Sequence, residues 1–333
     1  MRAQRLIVQN IRVHRTKTLD FVDNPTLITG ANGSGKTSLI EAIYIALRGK
    51  SFRGSDASVC RQGTDFYRIA LETDTFAYRV QYEAAGARKS RQFIVDGKKY
   101  ARLPYSLKYP IVLFEPEDLR IINGSPQRRR QFIDTLIQQY DPCYSRELSR
   151  YERALQQRNK ALKNPAATRD TVFPWNVLLS EHGAAIIAKR QAAVEVFNQR
   201  ITDIYQQIAH NRDAVAVAYS PNEAMTPQQL LRRHEEKFDY DRLTGTTSTG
   251  PHRHDIHFLF NHTPAADVAS RGECRTIVLA LKFIEAEYIE QKTSTPPIIL
   301  LDDVFGELDE QRQRALLDEF KSNQVIMTSA VEG

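Results

Sequence analysis

Two rhythms of apolar and polar residues divide the chain. Leu6-Ile7-Val8 and Pro25-Thr26-Leu27-Ile28-Thr29 are short and β-branched, so residues 1–30 predict two strands and a third, buried one. Leu39, Ile40, Ile43, Ala46 and Leu47 then repeat at helical spacing. Stretches 66–71, 76–82 and 91–100 alternate, as half-buried antiparallel strands do, with Asp96-Gly97 as a hairpin turn. Ile111–Phe114 predicts one more buried strand.

The rhythm turns helical at Ser125-Pro126, a cap followed by a first-turn proline. Phe132, Ile133, Leu136, Ile137 and Tyr140 line one face up to Asp141-Pro142. Tyr144, Leu148, Tyr151, Leu155 and Leu162 continue as a heptad-like seam. After a loop over 164–174, a long helix carries Leu178, Leu179, His182, Ile186, Val196, Phe197, Ile201, Ile204, Tyr205 and Ile208. This predicts a helical domain over 126–234, inserted between the halves 1–125 and 235–333 of another domain. From Asp239 the chain reads as loop, and the His/Arg cluster beside Gly250-Pro251 predicts a rigid one. His252, His254 and His257 lack thiolates or carboxylates at ligand spacing, so a metal reading is set aside.

Chemistry enters at Gly30-Ala31-Asn32-Gly33-Ser34-Gly35-Lys36-Thr37, a G-x-x-x-x-G-K-[ST] loop between predicted strand and helix. There, backbone N–H groups converge on an anion, and glycines let the chain close on phosphate oxygens. Gly30, Asn32, Gly33, Ser34, Gly35, Lys36, Thr37 and Ser38 are candidate ATP-binding residues. Lys36 would reach the β- and γ-phosphates, and the Thr37 hydroxyl would ligate Mg²⁺. Arg12 is a further candidate contact, equally readable as a surface residue of an edge strand. Pro297–Asp303 is an apolar strand ending in two acids, which gives Asp302 to the metal and Asp303, with Lys36, to catalysis as general base.

A third element stands 32 residues before Asp302, where Ser270-Arg271-Gly272-Glu273 opens a helix faced by Ile277, Leu281, Ile284 and Tyr288. A hydroxyl, backbone N–H groups and the helix dipole make an anion site there, and an ordinary N-cap has the same form. The order P-loop, large insertion, Ser-x-Gly-Glu, acid strand resembles that of ABC-type ATPases, with Asp309 in the position of the D-loop. In those folds the signature of one subunit meets the γ-phosphate held by the other, which adds Ser270, Gly272, Glu273 and Asp309 to the candidate site of an ATP-dependent homodimer. The expected class is α/β, an ABC-type ATPase head with mixed sheets and an inserted α-helical second domain.

Composition adds a partner. The 333 residues carry 46 Lys+Arg against 40 Asp+Glu, a net charge of +6 with a pI near 9.1, which favours a polyanion. Stretch 126–234 holds 16 basic against 10 acidic residues, and the rest of the chain 30 against 30. From Ala84 to Lys108 seven Lys/Arg face one acid. Arg88, Lys89, Arg91, Lys98 and Lys99 are therefore candidate contacts to a DNA backbone. Cys60, Cys143 and Cys274 offer neither disulfide framework nor metal spacing, and no apolar stretch has bilayer length. A cytoplasmic protein without a membrane partner is expected.

Asn10-Ile11-Arg12 and Ser51-Phe52-Arg53 resemble the "NFR" and "SFR" of the RecF family, bacterial recombination mediators related to SMC-type ATPases. Phe114-Glu115-Pro116-Glu117-Asp118-Leu119 is similar to its F-x-P-E-D-L. Gly124-Ser125-Pro126, Arg128-Arg129 or Arg129-Arg130, and Phe132-Ile133-Asp134 are similar to GSP..RR.FLD. Gly250-Pro251-His252-Arg253 matches GPHR, and Leu301-Asp302-Asp303-Val304 through Leu308-Asp309 matches LDDV..ELD. The resemblance spans nearly the whole chain. It implies a head built from both chain ends, dimerised by ATP and released by hydrolysis. It also implies binding to double-stranded DNA at gaps and ss–ds junctions, and work with a RecR-like mediator to load RecA in replication, DNA-damage repair and the SOS response.

The chain departs from the family at His254, where a second Asp is usual, and at Cys274, where Gln is common. Met327-Thr328-Ser329 holds no histidine, which implies slow hydrolysis. Glu115 or Glu117 fits a γ-phosphate-sensing loop. An ABC transporter subunit would need a glycine-rich signature, a switch histidine and no helical insertion. An SMC-like architectural ATPase would need long coiled coil, where 126–234 offers a Pro-rich break and short helices.

Overall fold

The computed structural model describes residues 1–22, 24–85 and 88–330, without the side chains of Ala85, Arg88 and Glu307. Packing divides the chain into two compact units, Met1–Asp118 with Glu285–Gly333, and Leu119–Ile284. The limits read from sequence, 125/126 and 234/235, lie inside these boundaries.

The first unit begins with β1 (Ala3–Ile11), β2 (His14–Asp20), β3 (Thr26–Thr29), α1 (Lys36–Arg48) and the single turn α2 (Asp56–Val59). β4 (Phe66–Thr73), β5 (Ala77–Ala85), β6 (Arg88–Val95), β7 (Lys98–Tyr100) and β8 (Ile111–Phe114) follow. The second unit holds α3 (Arg120–Asn123), α4 (Pro126–Tyr140), α5 (Pro142–Leu162), α6 (Arg169–Ala209), β9 (Val215–Ser220), α7 (Pro227–Glu236) and α8 (Phe238–Thr244). It continues with β10 (Asp255–Phe260), β11 (Thr263–Pro264), α9 (Ala265–Val268) and most of α10 (Arg271–Thr293). The chain then completes the first unit with β12 (Ile298–Leu301), α11 (Glu310–Glu319) and β13 (Val325–Ser329).

Alternation has the consequence expected of it. β2-β1-β4-β5-β6-β7 form one antiparallel sheet, with Leu6, Val8, Ile69, Leu71, Val80 and Phe93 on its buried face. The near-continuous apolar runs form a parallel sheet in the order β3-β13-β12-β8. α1 packs on β1, β4 and β5 of the first sheet and on β8 and β13 of the second. A helix between two sheets has little polar face, and Leu39, Ile40, Ala42, Ile43, Ile45, Ala46 and Leu47 are all buried. Gly49, in the left-handed region at φ 77°, ends it by donating to the Ile45 carbonyl.

Three readings need correction. The long helix is present and longer than expected, α6 running 41 residues, so the insertion does not hold short helices only, and the predicted loop over 164–174 gives way to helix from Arg169. Pro174 falls in the second turn of α6, where it removes one hydrogen bond without ending the helix, and Thr168 and Thr171 cap the start reciprocally. The insertion is also not all helical. Val215–Ser220 alternates buried and half-exposed residues and pairs with β10 in a three-stranded sheet. Finally, Asp239 starts no loop. α8 carries on to Thr244 and is closed by Gly245 at φ 65°. Among the described residues no helix is long and apolar enough to cross a membrane.

The second unit is pinned by one buried ion pair. Arg158 and Asp241 meet at 2.7 Å with both side chains fully buried. Arg158 also donates to Asn176 and Thr247 at 2.6 and 2.9 Å. Asp241→Ala strands that guanidinium, and urea unfolding is expected to show a loss of about 3–5 kcal/mol. Breaking the exposed Arg232–Glu236 pair is expected to change stability by less than about 1 kcal/mol.

Candidate functional site

The parallel sheet fixes where the site lies. Its four strands end along one edge, so Gly30, Asp302 and Glu115 follow β3, β12 and β8 directly, and ligands gather at such an edge. The register pairs Leu301 with Phe114, and the Asp302 N–H donates to the Phe114 carbonyl at 2.9 Å. Of the two candidate sensing residues, Glu115 therefore stands at the edge beside Asp302. Glu117 is exposed in the turn that follows.

The Thr37 hydroxyl donates to Asp302 Oδ1 at 2.8 Å, and the Thr328 hydroxyl donates to the same oxygen at 3.1 Å. Thr328 Oγ1 in turn accepts from the Asp303 N–H at 2.8 Å, so one threonine holds both acids. Asp303 is left-handed at φ 52°, and its Oδ2 lies 3.9 Å from Lys36 Nζ. Lys36 donates to the carbonyls of Gly30 and Ala31 at 2.9 and 3.2 Å. Burial pushes the Asp302 carboxyl above its ordinary range, with the two hydroxyl bonds opposing.

The donor set suits a hard cation. Asp303 Oδ1 is buried without a hydrogen-bond partner, and Thr37 and Asp302 present a hydroxyl and a carboxylate side by side. No group of three or more His, Cys, Asp or Glu fit for a metal occurs among the described residues. One or two protein oxygens with phosphate and water is the Mg²⁺ pattern.

Beside these atoms lies a cleft of about 310 Å³ lined by Arg12, Val13, Gly33, Gly35, Lys36, Thr37, Ser38, Arg53 and Asp303. Gly35 is favoured by its left-handed backbone, and any side chain there would also displace its neighbours. At φ +95° a Cβ there would stand 2.4 Å from His14 Nε2 and 2.5 Å from Val13 Cγ2. His14 Nε2 lies 3.1 Å from the Gly35 carbonyl, which sets Nε2 as the protonated nitrogen. Arg12, ambiguous in sequence, lines the cleft. Val13, His14, Arg53 and Thr328 were not picked out as site residues. Arg53 stands in the Ser51-Phe52-Arg53 motif and Thr328 in the switch position, whereas nothing in sequence points to His14. Gly30, Asn32 and Ser34 form the rest of the loop, with the Ser34 N–H donating to the Ala31 carbonyl at 3.1 Å.

The Ser-x-Gly-Glu residues open α10 in the second unit. The Ser270 N–H donates to Glu273 Oε2 at 2.6 Å and the Glu273 N–H to Ser270 Oγ at 3.3 Å, a reciprocal capping box. The Gly272 carbonyl accepts from Thr276 at 3.0 Å. Asp309 is exposed and caps α11 through the Arg312 N–H at 2.9 Å. None of these four lines the cleft of the first unit. The GPHR stretch is a strut of the second unit, with Arg190 donating to the Pro251 carbonyl at 2.7 Å and Tyr151 bonded to His252 Nδ1 at 2.6 Å. Burial pushes His252 and His254 down to about 4, so both are neutral at physiological pH.

The basic residues do not share a face. Arg91 is committed to Asp56 at 2.8 Å and lies over Phe93. Lys98 pairs with Val95 and Lys99 with Ile94, which puts the two lysines on opposite faces of the sheet. Lys89 is exposed, and the Arg88 side chain lies outside the described residues.

The raised Asp302 carboxyl has a stability consequence. Its ionised form is held at a cost that exists above the raised value and vanishes below the ordinary aspartate range, about pH 4. Without nucleotide, Asp302→Asn is expected to melt higher than wild type at pH 7. The gain should fade in calorimetry as the pH falls toward about 4.

A family model described as an AAA domain matches residues 5–239. The DNA replication and repair protein RecF of Natranaerobius thermophilus is 34% identical over 342 residues, covering 96% of this chain and 88% of its own length. The solved structure of the recombination mediator protein RecF-ATP in the RecFOR pathway superposes with a TM-score of 0.89 at 27% identity, over 99% of this chain and 92% of that one. The Smc head bound to the C-winged helix domain of ScpA superposes with a TM-score of 0.54 at 16% identity, over 99% of this chain and 90% of that one, a likeness of fold alone. With matched P-loop, acid strand and motifs along nearly its whole length, the chain belongs to the RecF family of DNA replication and repair proteins.

Proposed function

We propose that this chain is an ATP-dependent DNA-binding protein of recombinational repair and replication, whose slow ATPase opens a dimer closed on duplex DNA. The observation that carries the reading is the 2.8 Å bond from Thr37 to Asp302, which joins P-loop and acid strand beside Lys36 and Asp303. A structural relative described with ATP supports it.

In this reading Gly33 and Gly35 offer N–H groups to the triphosphate, and Lys36 exchanges its bonds to Gly30 and Ala31 for phosphate oxygens. Thr37 and Asp302 would hold Mg²⁺, which would supply charge neutralisation for the phosphates. Asp303 takes the proton of the attacking water, its carboxyl aimed by the left-handed backbone and by Thr328. Thr328 fixes the acids but cannot carry charge as a histidine would, in keeping with slow turnover. Ser270 and Gly272 of a second copy, with Asp309, close over the γ-phosphate, which takes the place that Glu273 holds at the helix start in the single chain. The exposed start of α10 brings a hydroxyl and a helix dipole to that anion. The head follows from chain segments 1–125 and 235–333, with 126–234 as the inserted domain.

The DNA partner follows from charge and family. Of the basic run Arg88, Lys89, Arg91, Lys98 and Lys99, the pair Lys89 and Lys98 shares one face of the sheet and tracks phosphates of duplex near gaps and ss–ds junctions without reading bases. The RecFOR setting of the structural relative supports partnership with a RecR-like mediator, and the RecA pathway and a cytoplasmic location belong to the same proposal.

Sedimentation tests the clamp. Asp303→Asn is expected to form a dimer with ATP and Mg²⁺ that binds a short duplex more tightly than the nucleotide-free monomer. Nucleotide binding without dimerisation would remove Ser270 and Gly272 from the site. The DNA surface has its own test. Replacing Lys89 and Lys98 by Glu is expected to weaken duplex binding and flatten its log–log salt dependence by about 2 units. An unchanged slope would move the DNA path to the helical insertion.

A further inference from the structure

Glu41 lies in the middle of α1 with its side chain fully buried, and nothing in the chemistry above uses it. Its carboxylate accepts a fork from Arg12, Nε to Oε2 and Nη2 to Oε1, both at 2.9 Å. The Ser51 hydroxyl donates to Oε1 at 2.5 Å. Ser51 Oγ in turn accepts from the N–H groups of Arg53 and Gly54 at 2.9 and 3.1 Å. One buried charge on the P-loop helix thus grips two separate segments. The turn between β1 and β2 delivers Arg12 to the phosphate cleft, and the loop after α1 delivers Arg53.

Packing alone gives no reason for this charge. Neighbours Ile40, Ala42 and Ile45 are fully buried and apolar, and a carboxylate among them is costly unless paired. Arg12 itself is left-handed at φ 50°, a backbone conformation that persists where surrounding bonds over-determine it. Both gripped arginines line the same cleft, together with Lys36, Thr37 and Asp303.

We propose that Glu41 is a positioning residue for the nucleotide. It sets Arg12 directly, and Arg53 through Ser51, against the phosphates that the P-loop holds, so that both arginines travel with α1. The inference rests on the nucleotide reading above.

The test is a double-mutant cycle on the full chain, read as the affinity for a fluorescent ATP analogue with Mg²⁺. Arg12→Ala and Glu41→Gln are each expected to weaken binding about tenfold, and the double variant to be within about twofold of either. A second cycle of Ser51→Ala with Arg53→Ala, which leaves the buried carboxylate in place, is expected to show the same non-additivity. It stands in if Glu41→Gln does not fold. A purely structural Glu41 would lower the nucleotide-free melting temperature while its effect on affinity multiplied with that of Arg12→Ala, to about a hundredfold. That outcome overturns the positioning role and leaves the nucleotide site intact. Wild type that shows no Lys36-dependent binding of the analogue overturns both.

Discussion

The bond between Thr37 and Asp302 joins residues 265 positions apart, and the rest of the first unit exists to make it possible. Its parallel sheet interleaves the chain ends, with β13 between β3 and β12, and β12 between β13 and β8. Neither end can complete the sheet alone. The seam is stitched further by Ala3 and Gln324, which exchange two hydrogen bonds at 2.7 and 2.8 Å, and by Asn24, which accepts from the Val325 N–H at 2.8 Å. Closing so long a loop costs on the order of 5 kcal/mol, but each doubling of its length adds only about 0.6. A second unit of any size can therefore hang between the halves without weakening the site, provided it folds on its own contacts. The buried Arg158–Asp241 pair and the α5–α6 packing supply such contacts.

The site is built against the preferences of the sheet that carries it. β12 is buried at every position, and the chain then places two acids at its end, one of them buried. The fold supplies Asp302 with hydroxyl donors from Thr37 and Thr328. They satisfy Oδ1 without neutralising the charge. Asp303 keeps one carboxylate oxygen buried without a partner and a backbone angle that costs free energy. Strain and unpaired charge concentrated at one edge are the form a site takes when a cation and an anionic ligand complete it.

What the sequence makes legible is local. The P-loop, the acid strand and the alternating meander each declare themselves within a dozen residues, because glycine chemistry and a period of two act at that range. What it hides depends on register. Thr328 meets Asp303 only after β13 and β12 are aligned, His14 meets Gly35 only once the start of β2 in the other sheet lies against the P-loop, and no spacing encodes either. The basic run shows the same limit. Seven Lys/Arg between Ala84 and Lys108 look like one patch, yet pairing sends Lys98 and Lys99 to opposite faces and commits Arg91 to Asp56. β9 was missed for a different reason. Its Val-Ala-Val-Ala-Tyr alternation is plain, but it follows a helix long enough to set the expectation for everything after it.

Ser270-Arg271-Gly272-Glu273 shows why two readings of one motif need not compete. A helix start has unsatisfied N–H groups and a positive dipole end, and any nearby anion lowers its energy. In the folded chain that anion is the Glu273 carboxylate, 2.6 Å from the Ser270 N–H. In a dimer of the kind proposed, the γ-phosphate of the facing copy presents a larger negative charge to the same groups, and like charges do not share so small a site. Glu273 then yields its place, and the cap of the resting helix becomes the contact of the closed one. The ordinary N-cap and the γ-phosphate site are two occupants of a single electrostatic need, which is why residue types alone cannot separate them.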